Sequence, residues 1–168
     1  MPSEATRRIL TLSPGAFAFG DQEVVMRTLL GSCVAFTFWH PRLKFGAMCH
    51  YLLPNRSASD PGDSGGRYGE AVLHAIADRF RNAGLEAEAF EVRMFGGANM
   101  FPGLTGSAAS IGDRNIEVGR AVVSQLGFRL GQEDLGGVLH RRVIFEIASG
   151  QVDVQYGEGP TGDCGGRR

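Results

Sequence analysis

Three cysteines in 168 residues are too few, and odd in number, for a disulfide framework. Cys33, Cys49 and Cys164 show no CxxC spacing, which excludes a redox dithiol or a zinc knuckle. Charge of one sign is missing too: 17 Lys and Arg against 18 Asp and Glu leave a formal net charge of −1. No global field draws such a chain to nucleic acid or to an anionic membrane. No apolar run approaches the ~18 residues of a bilayer span, so no membrane insertion is expected. The opening MPSEATRRILTLSPG lacks a basic region followed by a long apolar stretch, so no signal peptide is expected. Reduced thiols and a cytoplasmic location are the expectation. Nucleotide-binding and metal-binding signatures are absent, so no cofactor is expected.

What remains is an ordinary globular composition, 43% hydrophobic with 25 glycines. It fits a single domain, read as residues 1–156, with GEGPTGDCGGRR at 157–168 as a disordered tail. NRSASDPGDSGGR at 55–67 reads as a loop. Apolar runs rich in β-branched and aromatic residues predict strands at 23–30, 33–39 and 45–53, after a short one in RRILTLSPG. Val72, Leu73, Ile76, Ala77 and Phe80 predict a helix over 68–83 that stops at Gly84. Ile116, Gly119, Val122, Val123 and Leu126 predict another over 113–126, with Asp113, Arg114 and Asn115 capping and starting it. Further strands are expected at 89–95, 128–132, 143–147 and 151–156, with Glu133 and Asp134 in a charged turn. Many strands and two main helices predict an α+β fold of mostly antiparallel or mixed sheet. The strand at 33–39 is apolar on both faces, so it is covered on both sides in a layered sandwich.

The stretch TLLGSCVAFTFWHPRLKFGAMCHYLLP, from Thr28 to Pro54, carries the candidate chemistry. Pro41 and its polar neighbours favour a turn between two strands. If Phe38 pairs with Phe45, Cys33 lies directly opposite His50 on the same face, with Cβ atoms ~5 Å apart. A one-residue slip would separate them to opposite faces. An adjacent imidazole can draw off a thiol proton. Backbone N–H groups near Ser32 and Cys33 can face a developing oxyanion, and Thr28 can hold the second nitrogen of His50. The alternative is a cysteine that is merely a small buried hydrophobe. Cys49 should point away from His50, and His40 sits in the turn.

These residues also carry a resemblance. Gly31-Ser32-Cys33, then Gly46-Ala47-Met48-Cys49-His50 closing with Leu53-Pro54, resembles the chemoreceptor glutamine deamidase family CheD of bacterial chemotaxis. The likeness continues through MFGGANM (94–100), IGDRN (111–115), EDLGG (133–137) and VIFEIASGQVDVQY, and so covers roughly residues 8–156. It implies a layered α/β/α sandwich and a protein-glutamine glutaminase, an amidohydrolase that turns receptor glutamines into glutamate. Receptor methyl-ester hydrolysis is a second activity of some members. Methyl-accepting chemotaxis receptors are the implied substrates, and a CheC-type phosphatase is a further implied partner.

The family's nucleophilic cysteine falls on Cys33 and its histidine on His50. Its threonine stands six residues before the cysteine in some members, where this chain has Arg27, and five before in others, which gives Thr28. The segment Val138-Leu139-His140-Arg141 departs from the more polar segment of many members. The competing class is a non-catalytic adaptor that binds receptors or the phosphatase. A third is a toxin-like deamidase acting on another protein amide, against which the absence of a secretion segment counts.

Overall fold

The computed structural model describes residues 6–56, 65–105 and 108–158. Most of the expected loop at 55–67, nearly all of the expected tail and Cys164 lie outside the described residues. In chain order the strands are β1 (Arg8–Thr11), β2 (Phe17–Asp21), β3 (Val24–Leu30), β4 (Val34–His40) and β5 (Phe45–Tyr51). Then come helix α1 (Gly69–Asn82), β6 (Glu91–Gly96), a single turn α2 (Pro102–Thr105) and helix α3 (Ile111–Gln125). Strands β7 (Leu130–Leu135), β8 (Arg141–Glu146) and β9 (Val152–Tyr156) complete the fold.

Two mixed sheets result. One has the order β1-β3-β8-β9 and the other β2-β5-β4-β6-β7. The α+β class and the two main helices agree with the sequence reading. The layer order differs from the expected α/β/α: it is helices, sheet, sheet. Val34, Phe36 and Phe38 of β4 pack with α1 and α3, through Val72, Leu73, Ile76, Phe80, Val122 and Val123. Phe80 stacks on Phe90, ring centroids 4.0 Å apart. The opposite face of β4 and β5, with Ala35 and Met48, meets Met26 and Leu30 of β3 and Val143 and Phe145 of β8. A strand apolar on both faces demands two covering layers, but not that both be helical. Here alternation in β3 supplies the second cover: Val24, Met26, Thr28 and Leu30 point inward, Arg27 and Leu29 outward.

The β4–β5 register also differs from the one expected. His40 pairs with Phe45, so Ala35, not Cys33, is opposite His50. The turn is tighter by two residues, closing over Pro41 to Lys44 with Lys44 at φ 46. Because the slip is two, Cys33 and His50 keep the same face parity. Three other expectations change. Strand β2, too short and glycine-bearing to stand out in the sequence, pairs with β5. Glu133 and Asp134 lie within β7, not in a turn. Their charges are met there: Glu133 takes both guanidinium arms of Arg120, and Asp134 accepts from Arg141. Helix α3 starts two residues early. Ser110 caps it, accepting from the Asp113 N–H at 3.1 Å, while Asp113 accepts from the Ser110 N–H at 3.0 Å.

Candidate active site

Thr28 and His50 meet from two different sheets, and Cys33 lies just before the strand that pairs with that of His50. Thr28 points inward from β3 of the first sheet. His50 belongs to β5 of the second, one residue from its end. Cys33 immediately precedes β4. Thr28 and His50 are 2% and 1% exposed, whereas Cys33 is half-buried. Cys33 is therefore partly open to solvent, while Thr28 and His50 are shielded between the two sheets.

The hydrogen bonds fix the state of the imidazole. The Thr28 hydroxyl has one proton, and it donates that proton to the Leu12 carbonyl at 2.7 Å. A carbonyl can only accept, so Thr28 Oγ1 must accept from His50 Nδ1 at 2.6 Å. Nδ1 therefore carries the ring proton, and Nε2 keeps its lone pair. Nε2 is buried and has no hydrogen-bond partner among the described residues. Burial lowers the imidazole pKa to about 4, and raises that of the Cys33 thiol, an effect opposed by its own backbone N–H. Both groups are neutral at pH 7. Cys33 is thus a thiol and His50 a free base, rather than a standing thiolate and imidazolium.

The loop bearing Cys33 is held by its carbonyls. The Gly31 carbonyl accepts from the Ala98 N–H at 3.0 Å and that of Cys33 from the Gly97 N–H at 2.8 Å. The Ser32 carbonyl between them accepts from Asn115 Nδ2 at 3.0 Å. Gly96 makes the approach possible: its φ is 107°, and a Cβ there would strike the Cys33 carbonyl oxygen. A trans peptide sets each N–H antiparallel to the carbonyl before it. With the carbonyls of residues 31 and 32 turned toward Ala98 and Asn115, the N–H groups of Ser32 and Cys33 face the other way. No described inter-residue backbone hydrogen bond uses either as donor.

The remaining candidates lie elsewhere. Arg27, at the alternative threonine position, points outward and donates to Thr11. Cys49 is fully buried against the helices, and burial pushes its thiol up to about 12. His40 caps its turn by accepting from the Leu43 N–H at 3.2 Å. No group of three or more His, Cys, Asp or Glu among the described residues is placed to hold a metal ion. A cavity of about 900 Å³ lies along β6 and β7 and includes none of the three residues. Sequence reading missed the Leu12 carbonyl and the bridging role of Asn115. The motif IGDRN did mark Asn115, but only as part of a helix start.

The family model for CheD chemotactic sensory transduction matches residues 52–156, more than half of the chain. The chain belongs to the CheD family. That match begins just beyond His50, and whole-chain relatives extend it. CheD 1 of Chromobacterium violaceum, a probable chemoreceptor glutamine deamidase, is 39% identical over 158 residues, covering 94% of this chain and 82% of that protein. An alignment so long must span Thr28 to His50. The probable chemoreceptor glutamine deamidase CheD 3 of Dechloromonas aromatica is 37% identical, covering 88% of this CheD chain and 87% of its own length. The CheD of Pseudomonas savastanoi pv. phaseolicola, also a probable chemoreceptor glutamine deamidase, is 36% identical, at 88% and 84%.

Proposed function

We propose that the protein is a chemoreceptor glutamine deamidase of the cytoplasm, hydrolysing glutamine side-chain amides on methyl-accepting chemotaxis receptors with Cys33 as nucleophile. The observation that carries this reading is the buried, unpartnered Nε2 of His50, held as a free base by Thr28. The family relatives supply the substrate class.

Cys33 gives its proton to His50 Nε2 as its sulfur attacks the glutamine Cδ. A C–S bond forms, and the carbonyl oxygen becomes an oxyanion facing the N–H groups of Ser32 and Cys33. The imidazolium, steadied by Thr28 at Nδ1, returns the proton to the amide nitrogen. The C–N bond breaks, ammonia leaves and a γ-glutamyl thioester remains. His50 then takes a proton from water, the hydroxide attacks the thioester, and the thiolate leaves and is reprotonated. Glutamate results, with no redox change. Because thiol and imidazole start neutral, transfer accompanies attack rather than preceding it.

The adaptor reading leaves the site unexplained. A binding surface gains nothing from an imidazole that is buried, neutral and short of one hydrogen bond, a state that costs stability. Incubation with the cytoplasmic region of a receptor from the same cell, followed by mass-spectrometric mapping, tests the activity. Glutamine-to-glutamate conversion at discrete positions is expected; an unchanged receptor would remove the deamidase reading.

A further inference from the structure

We propose that Asn115 is a positioning residue that sets the distance between nucleophile and base and aims the oxyanion donor; this rests on the deamidase reading. Its side chain is fully buried on α3. Nδ2 donates twice, to the Ser32 carbonyl at 3.0 Å and to the Leu52 carbonyl at 2.9 Å. Ser32 adjoins Cys33, and Leu52 lies two residues past His50. One amide group therefore ties together the two chain segments that carry the reacting side chains, segments that strand pairing leaves offset by two residues.

The choice of residue follows from the partners. Two carbonyls need two protons from one atom, which an amide nitrogen supplies and a carboxylate does not. The remaining oxygen, Oδ1, is buried without a partner. That is a cost a purely structural position would shed. The helix is brought close enough by Gly119, one turn on from Asn115. A Cβ at Gly119 would meet Met94 Cε at 2.7 Å and Phe36 Cε2 at 2.9 Å. The Asn115 backbone is separately fixed, since its carbonyl accepts from the Tyr51 hydroxyl at 2.6 Å. Side-chain replacement therefore leaves the α3 anchor in place.

Peptide planarity carries the effect to chemistry. The Asn115–Ser32 bond holds the peptide whose other end is the Cys33 N–H. If that peptide turns, an oxyanion donor and the sulfur move together. Both losses fall on the transition state, so kcat should drop and KM should hardly move.

The test compares Asn115→Ala, Asn115→Ser and Asn115→Asp with Ser110→Ala, which removes the α3 cap without touching the loop. Each variant is assayed on the receptor fragment, melted, and treated with iodoacetamide while alkylation of the Cys33 peptide is followed against pH by mass spectrometry. The Asn115 variants should lose about 10²-fold in kcat with KM within about 3-fold. Their Cys33 alkylation midpoint should shift to lower pH as the loosened loop exposes the thiol. Ser110→Ala should melt lower with kcat unchanged.

An Asn115 variant with wild-type kcat and midpoint would overturn the proposal. So would an equal kcat loss in Ser110→Ala, or failure of all three Asn115 variants to fold. If the wild type deamidates nothing, the deamidase reading fails alone, because the alkylation midpoint still judges the tie between Asn115 and the Cys33 loop.

Discussion

Thr28→Val keeps the shape of the threonine and removes its hydroxyl, so it isolates the contribution of a neutral hydrogen-bond partner to the histidine. Two hydrogen bonds go with it, the 2.7 Å bond to Leu12 and the 2.6 Å bond to His50. The Leu12 carbonyl and the His50 Nδ1–H are left without these partners behind a 2% exposed residue. Each orphaned group costs ~1–3 kcal/mol, and the valine methyl recovers part of that. A net loss of about 2 kcal/mol is expected in urea melts.

The catalytic loss has another origin. Without Thr28 the ring proton is free to sit on Nε2, where it blocks acceptance from Cys33. A positioned general base is worth ~10²–10⁴-fold, and part of the population keeps the productive tautomer. We expect kcat to fall about 10–10²-fold at 25 °C on the receptor fragment, with Thr28→Ser recovering most of it. A Thr28→Val enzyme within twofold of wild-type kcat would refute the tautomer argument, whatever its stability.

Stability should fall on acidification. His50 titrates at about 4 folded against 6.5 for the free side chain, so the unfolded chain binds the extra proton between those values. The contribution is whole above pH 6.5 and lost as pH falls to about 4, roughly 3 kcal/mol. Urea melts across that range check it, and kcat should show its acid limb near pH 4; a limb near 6.5 would contradict the buried neutral imidazole. Gly96→Ala should cost at least ~1–3 kcal/mol and abolish turnover, since it combines a φ of 107° with a collision against the Cys33 carbonyl. Thermal melts and kcat of the soluble variant measure both. Arg141→Met should destabilise by about 3 kcal/mol. It strips Asp134 of its 2.6 Å partner beneath Tyr156, and denaturant unfolding reads the loss.

The core was legible where period and composition agreed. Val72 to Phe80 and Val122 to Val123 stand on the helix faces their spacing indicated. The two faces of β4 divide between two cores as alternation required. For Cys33 and His50 only the shared face parity was legible; the expected pairing was off by two residues, because turn length depended on the positive φ of Lys44, which composition does not announce. The second sheet was hidden because a covering layer shows in the covered strand only as apolarity. Asn115 was hidden for a different reason. Its partners are backbone carbonyls 83 and 63 residues away, and a carbonyl has no signature in sequence.

The central claim is that Cys33 attacks the glutamine amide with His50 as its base. It is tested most directly by running the receptor reaction in hydroxylamine and mapping the products by mass spectrometry. A γ-glutamyl thioester predicts glutamyl hydroxamate at the same positions that otherwise become glutamate, and neither product with Cys33→Ala. Glutamate formation that persists in Cys33→Ala would contradict the account outright.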